Sequence, residues 1–153
     1  MPGGQAGGAQ AGGRFYRNSA LSITTSETDI PLDTVSAINP LDGPFQCSLL
    51  SGSIKSAVAG ISVADMTLTV ERPAMLNVGL TLRAYLTPDG GSPVLIGKGE
   101  HTLLAGGGTQ TVNLPVYTPI DVDGTISFTG ELGTGSLAVA TGENETWAYF
   151  VLG

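Results

Sequence analysis

Few residues in this chain could carry out chemistry, since it has one histidine, His101, and one cysteine, Cys47. His101 directly follows Glu100, and neighbours on a strand point to opposite faces, so the pair would not act together as a base and its partner. Cys47 lies in an apolar run at residues 45–50, which favours a small core residue over a nucleophile. We therefore predict no catalytic residues and expect that the protein is not an enzyme.

Two carboxylates, Asp121 and Asp123, precede Gly124 in the way that a calcium-binding loop begins. The expected third oxygen ligand is missing, and no glutamate stands twelve positions along to close the loop. The single histidine and cysteine cannot form a zinc set, and the glycines at 97–99 and 106–108 lack the spacing of a phosphate loop. We interpret these segments as turns and expect neither a metal nor a cofactor.

The charge balance narrows the possible partners. The chain carries 6 basic and 13 acidic side chains, a net charge of −7, and charged residues make up 12% of it. Nucleic-acid binding needs clustered Lys and Arg, and an anionic membrane surface selects for the same cations. We therefore expect no nucleic acid and no membrane among its partners.

Alternation of apolar and polar residues dominates the pattern. Between residues 75 and 87 the even positions, from Leu76 through Leu80 to Leu86, are apolar, and the odd positions are mostly polar, as in a half-buried strand. Residues 66–71 alternate in the same way. The further predicted strands are residues 21–25, 45–50, 94–96, 111–116, 125–129, 136–140 and 146–152.

Turn residues separate these runs, as in the Pro88-Asp89-Gly90-Gly91 segment, which predicts a tight hairpin. Only residues 53–64 fit a helical stripe, and we predict a short helix or an irregular strand there. About nine short strands with glycine-rich turns predict an all-β fold, an antiparallel β-sandwich of jelly-roll type.

The chain begins with a glycine-, alanine- and glutamine-rich segment that has no large apolar side chain to bury. We predict a flexible, extended N-terminal arm at residues 1–18 and a sandwich domain at residues 19–153. At the end of the arm, Arg14, Phe15, Tyr16 and Arg17 combine an aromatic pair with flanking cations, which suits binding to an acidic partner. The alternative is that Phe15 and Tyr16 begin the first strand of the domain.

The last predicted strand is apolar on both faces, since Trp147, Tyr149 and Val151 alternate with Ala148, Phe150 and Leu152. Such a strand either lies in the centre of the sandwich or presents one face to another subunit.

The small-residue start, the charge-poor sandwich and the missing catalytic set together resemble the head decoration (cement) proteins of tailed phages and related accessory virion subunits. That resemblance implies a structural virion protein, a homotrimer or other symmetric oligomer on the capsid surface. Its arm would bind the major capsid protein or another virion protein, often by adding a strand to a sheet edge. It also implies synthesis in the host cytoplasm and a final location in the virion.

A second hypothesis is the tip or collar of a phage tail or head fibre that binds a host receptor or carbohydrate. In strand count and in its final aromatic strand the chain is similar to trimeric jelly-roll heads of the C1q/TNF-like type. A carbohydrate site needs exposed aromatic rings beside acidic or amide side chains, and Tyr85, Tyr117 and Trp147 are the candidate platforms.

Overall fold

The computed structural model describes residues 11–36 and 47–152, which form an all-β, antiparallel structure without a helix in those ranges. The predicted β-sandwich is confirmed, and nine of its strands are four residues or longer. The strands are β1 Ala11–Tyr16, β2 Ser22–Ile23, β3 Thr28–Asp29, β4 Thr34–Val35, β5 Cys47–Leu50, β6 Ser53–Ser56, β7 Gly60–Glu71, β8 Val78–Thr87, β9 Val94–Leu103, β10 Thr109–Ile120, β11 Thr125–Leu132, β12 Leu137–Ala138 and β13 Trp147–Leu152. No helix long and apolar enough to cross a membrane is found among the described residues.

One layer of the sandwich is a five-stranded sheet in the order β10-β7-β13-β1-β4. Strands β10 and β7 pair along twelve residues, from Thr109 opposite Glu71 to Ile120 opposite Gly60. The C-terminal strand β13 lies between β7 and β1 and pairs with both. Its inward side chains Ala148, Phe150 and Leu152 are fully buried, whereas its outward apolar side chains are only half-buried, so a central place in the sheet accounts for one of its two apolar faces.

The other layer contains β5, β6, β11, β8 and β9 in that order, with β3 paired to β11. Strand β11 pairs with β8 over eight residues, from Thr125 to Leu132. The short strands β2 and β12 form a separate two-stranded sheet.

Period-two alternation places the core between the two layers. In β8 the side chains of Val78, Leu80, Leu82 and Ala84 are buried, as the alternation predicts. Leu76 was expected on the same face, and that expectation is wrong: its side chain is 76% exposed, because the strand begins only at Val78. Phe150 of β13 and Leu68 of β7 are fully buried on the facing side of the core.

A glycine in β9 lets the sheets close at the β9 and β10 edge, whereas a Cβ atom at a second glycine there would have longer contact distances. A Cβ atom at Gly97 would stand 2.3 Å from Cγ1 of Val116, and one at Gly99 would stand 3.4 Å from Cδ1 of Leu114. Since real Cβ contacts are not as short as 2.3 Å, only glycine at position 97 allows β9 to lie this close to β10.

The first strand corrects the predicted domain boundary. Residues 11–16 were assigned to a flexible arm, but they form β1, which pairs with β13 from Ala11 opposite Leu152 to Tyr16 opposite Trp147. Residues 1–10 of the predicted arm lie outside the described residues. The sandwich thus includes residues from Ala11 onward, in agreement with the alternative that Phe15 and Tyr16 begin its first strand.

The segment at residues 53–64 was predicted as a short helix or an irregular strand, and the helix is wrong. It forms β6 and the start of β7, because Ile54, Ser56, Ser62 and Ala64 alternate inward at strand spacing. The predicted hairpin after β8 is present: the Gly91 amide donates to the Pro88 carbonyl at 2.9 Å, and Gly90 has a φ of 72°. Residues 45–46 of one predicted strand lie outside the described residues.

Candidate functional site

The structure separates the residues that might have formed a catalytic pair. His101 is opposite Leu80 in the β8–β9 ladder and shares its inward face, whereas Glu100 is opposite Thr81 on the outer face. Nε2 of His101 is buried and has no hydrogen-bond partner among the described residues. The Glu100 carboxylate instead lies 3.8 Å from Nζ of Lys98. These positions give the imidazole no acidic partner and no contact with solvent at Nε2.

Cys47 lies at the start of β5 and packs against the core. Burial raises the pKa of its thiol to about 11, although a hydrogen bond from the Gly12 backbone acts in the opposite direction. The thiolate is the reactive form, so at neutral pH this side chain behaves as a small apolar residue.

Asp121 and Asp123 belong to the turn between β10 and β11. The Asp123 amide donates to the Ser56 carbonyl at 2.7 Å, and its carboxylate lies 3.6 Å from Nζ of Lys55. The turn closes through the Gly124 amide, which donates to the Asp121 carbonyl at 3.0 Å. Within residues 11–36 and 47–152 no group of three His, Cys, Asp or Glu side chains converges as an ion site would require.

The four residues predicted to bind a partner do not form one surface. Phe15 is 2% exposed and belongs to this chain's own core, so its ring is not available to fill a pocket in a partner. The Arg14 guanidinium lies 3.9 Å from the Trp147 ring centroid and donates from Nη2 to the Glu143 carbonyl at 2.8 Å. Only Tyr16, half-buried on the outer face of β1, retains an accessible ring.

Arg17 joins the end of β1 to the loop before β4. It donates to the carbonyls of Ser19, Ala20 and Pro31 at 2.8 to 3.2 Å. Its Nη1 also lies 3.8 Å from the Asp33 carboxylate. This guanidinium therefore has a structural role inside the chain.

Burial alone would raise the pKa of Asp33, but hydrogen bonds from Ser19, Asn18 and Thr34 outweigh it and lower the pKa to about 2. The Asn18 and Ser19 amides donate to its two oxygens at 2.8 and 3.0 Å.

The five-stranded sheet presents an apolar outer surface, which we call the aromatic face. It consists of the apolar outward side chains of its four long strands, which share their cross-strand rows with the polar residues Arg14, Asp65, Thr67 and Asn113. The members are Tyr16, Ile61, Val63, Pro115, Tyr117, Pro119, Trp147, Tyr149 and Val151. Ile61 is 58% exposed and Tyr117 is 72% exposed.

The rows show how continuous this surface is. Tyr117, Val63 and Val151 stand side by side across β10, β7 and β13. One row along, Tyr149 stands between Asp65 and Arg14. An extended patch of large apolar side chains on an exposed sheet face is typical of a protein–protein interface.

Charge is sparse on the aromatic face, where Asp65 and Arg14 are the ionisable groups within these rows besides the tyrosines. Desolvation raises the pKa of Asp65, whose Oδ1 accepts a weak hydrogen bond from Nδ2 of Asn113 at 3.4 Å. The carboxylate is thus partly shielded from water even in the single chain. The three candidate platforms are divided between the layers: Tyr117 and Trp147 lie on this face, and Tyr85 lies on the outer face of the other sheet.

No known protein family matches the chain, and no curated protein matches it. Among solved structures it is similar to the Eiger TNF from S. frugiperda, with a TM-score of 0.71 at 8% sequence identity. The match covers 95% of this chain and 93% of that chain. At this identity the likeness shows a shared fold, the TNF-like jelly roll, and fits the β-sandwich class.

Proposed function

We propose that this chain is a structural virion protein that works as a symmetric homo-oligomer, a homotrimer, and decorates or stabilises a phage capsid. The aromatic face is the observation that carries the proposal. Its strands are already paired on both sides except at the sheet edges, so a partner would dock on side chains rather than add a strand. The occupant that we propose for this face is a second copy of the chain.

Charge supports a second copy as the partner. Each chain has a net charge of −7, so two copies repel each other wherever their acidic surfaces meet. The aromatic face contributes one carboxylate and one guanidinium from its rows, and copies can approach there with little repulsion. Aromatic side chains such as Tyr117 and Trp147 are also the residue types enriched at the energetic centres of interfaces.

The trimer and the virion location rest on resemblance. The jelly-roll likeness fits the trimeric C1q/TNF-like heads, which the chain resembles in strand count and in its final aromatic strand, and the charge-poor composition fits accessory virion subunits. In this proposal residues 1–10, which lie outside the described residues, attach the oligomer to the major capsid protein. Deleting residues 2–10 should leave the sandwich folded and abolish attachment, whereas deleting residues 2–17 should unfold it because β1 is lost.

A non-enzymatic role agrees with the surroundings of the reactive residue types. His101 has its Nε2 buried, and the raised pKa of Cys47 keeps its thiol protonated. The second candidate function, the tip or collar of a phage fibre that binds a receptor or carbohydrate, is favoured by Tyr85, whose ring lies beside carboxylates on the other sheet.

A matched pair of variants tests the interface. Ile61 and Val94 are β-branched aliphatic residues of similar exposure, 58% and 55%, but only Ile61 lies on the aromatic face. Ile61→Glu should convert the oligomer to folded monomers, because it places a carboxylate within an apolar contact. Val94→Glu should leave the oligomer unchanged. If both variants sediment with the mass of the intact oligomer, the proposed interface is contradicted.

The virion assignment needs its own experiment. Antibody against this chain, applied to purified particles from the source of the sequence, should label them at regularly repeated capsid positions in electron micrographs. Absence of the chain from purified particles would refute the virion role while leaving the oligomer intact. Label restricted to a tail or head fibre would favour the second candidate.

A further inference from the structure

The outer face of the six-stranded sheet carries hydroxyl, carboxylate and guanidinium side chains, in contrast to the aromatic face. Three cavities of about 430, 310 and 280 Å³ lie along it. The outward residues of β11 show the order of the cavities along this strand. Ser127 lines the two smaller cavities, Thr129 lines the middle one and Glu131 lines the largest. We call this row of cavities the polar groove. Cavities of roughly 300 to 1,000 Å³ are typical of small-molecule sites.

The middle of the groove is built from a hydrogen-bonded network of side chains. The hydroxyl of Tyr85 donates to Oε2 of Glu27, and the hydroxyl of Thr129 donates to the same oxygen at 2.7 Å. Arg83 joins this part to the next cavity, with Nη1 2.8 Å from Oε1 of Glu131 and 3.8 Å from Oε1 of Glu27. The Tyr85 ring is therefore tied through its hydroxyl to the Glu27 carboxylate, and it lines the middle cavity together with Pro93.

The largest cavity is open because glycine lines it. A Cβ atom at Gly79 would meet nothing within 4 Å, and the cavity also includes Gly133. Hydroxyl and carboxylate groups surround this space, including those of Thr81, Thr102 and Glu100. Backbone and short side chains thus leave room for a ligand to lie flat on the sheet.

The chemistry of the groove matches a neutral sugar chain better than a peptide or an anion. Carboxylates and threonine hydroxyls accept and donate hydrogen bonds to ligand hydroxyls, and the Tyr85 ring offers an apolar face of the kind on which a sugar ring can lie. A peptide that adds a strand would bind along a sheet edge and not across the groove over β11, which is paired with β8 on one side and with β6 and β3 on the other. The charge of Arg83 is already matched by Glu27 and Glu131, so an anionic sugar would meet uncompensated carboxylates.

We propose that the polar groove is a binding site for a neutral oligosaccharide, with Tyr85 as its stacking platform and Glu27 and Glu131 as hydrogen-bond acceptors. The groove and the aromatic face lie on opposite layers of the sandwich, so a subunit can use both at once. The proposal therefore stands apart from the oligomer, and the two can fail separately.

Titration of the isotope-labelled full-length chain with neutral tetrasaccharides tests the site. The probes are the β-1,4-glucose, α-1,4-glucose, mannose and N-acetylglucosamine tetramers, each at roughly 10 mM, where even a millimolar dissociation constant gives mostly bound protein. At least one should shift the amide signals of Ser127, Thr129 and Glu131, and a sialylated oligosaccharide should not. If none of the four shifts these signals, the proposal is overturned.

Two variants and one control locate the binding. Tyr85→Ala should weaken the affinity at least about tenfold, the factor that corresponds to 1.4 kcal/mol. Gly79→Thr removes no polar group and suits a strand, but it fills the floor of the largest cavity and should also weaken binding. Tyr117→Ala, an exposed tyrosine on the aromatic face, should leave saccharide affinity unchanged.

Unchanged affinity in both groove variants would overturn the assignment, as would groove shifts caused by an unstructured peptide mixture in place of the saccharides. If Tyr85→Ala fails to fold, as its amide spectrum would show, Gly79→Thr decides the question alone. Sedimentation of the same samples reports on the oligomer, so a monomeric chain that still binds saccharide would refute only the interface.

Discussion

Replacing Phe15 with alanine tests whether β1 is part of the sandwich or the end of an arm. The ring is 2% exposed, and it fills space beside Gly13 and Cys47, since a Cβ atom at Gly13 would stand 3.0 Å from the Phe15 Cζ and 3.2 Å from the Cys47 Sγ. The variant should therefore leave a cavity in the core.

The magnitude follows from burial. Truncation of a buried phenylalanine to alanine costs about 3–5 kcal/mol, against a total stability of about 5–15 kcal/mol for a typical domain. For a domain of about 150 residues, each kcal/mol lowers Tm by about 2–4 °C, so we expect a fall of about 6–20 °C. Tyr16→Ala, on the half-buried outer side of the same strand, should cost much less.

Urea denaturation followed by tryptophan fluorescence measures the effect, with Trp147 as the probe directly opposite Tyr16 on β13. The measurement should be made in the Ile61→Glu background, because association would add a concentration-dependent term to the stability. A loss below about 1 kcal/mol for Phe15→Ala, equal to that for Tyr16→Ala, would refute the placement of β1 in the core.

Three further predictions concern the scaffold. Leu80→Ala should lower the free energy of unfolding by about 2–5 kcal/mol because the side chain is 1% exposed. Leu76→Ala, at 76% exposure, should change it by no more than about 0.5 kcal/mol. Equal losses in urea denaturation would contradict the observed start of β8. Gly97→Ala should destabilise by about 1–3 kcal/mol through collision with Val116, and a double-mutant cycle with Val116→Ala should recover part of that loss. Because the pKa of Asp33 is lowered to about 2, its ionised carboxylate stabilises the fold fully above pH 4 or so, where the unfolded carboxyl is also ionised, and this stability is lost as the pH falls toward 2. The difference in unfolding free energy between the wild type and Asp33→Ala should therefore narrow over that range. A constant difference would refute the role assigned to the hydrogen bonds of Asp33.

The alternation of side chains was enough to predict the sandwich, because one buried face at period two leaves few other folds open. It located the inward residues of β8 and β7 correctly. It failed at Leu76 because alternation continues into residues that precede the strand, and the pattern contains nothing that marks where pairing begins. At residues 53–64 the apolar spacing was compatible with both a helix and strands, and pairing of β6 with β5 and β11 decided for strands.

The first strand was missed for a different reason. Its glycines and the small-residue segment before it look like a linker, and its place depends on pairing with β13, which lies more than 130 positions along the chain. The composition of residues 1–13 therefore indicated disorder, while long-range pairing ordered residues 11–16.

The polar groove could not be located from the sequence, although Tyr85 was a candidate platform. Its network joins Glu27 to Thr129 across 102 positions and Arg83 to Glu131 across 48. No short sequence motif contains these four residues, since only the pairing register of β11 with β8 and β3 brings them together. The aromatic face was partly predictable from the sequence, because β13 is apolar on both faces. Such a strand was expected either in the centre of the sandwich or with one face against another subunit, and the structure places Trp147, Tyr149 and Val151 on the outer face.

The mass of the intact chain in solution tests the central claim most directly. Sedimentation equilibrium of the full-length protein should give three times the 15.5 kDa mass of one chain at neutral pH. The same mass should persist in high salt, because an apolar contact is not weakened by ionic screening. A folded monomer at all concentrations, with the tyrosines and Trp147 of the aromatic face still exposed to solvent, would contradict the account.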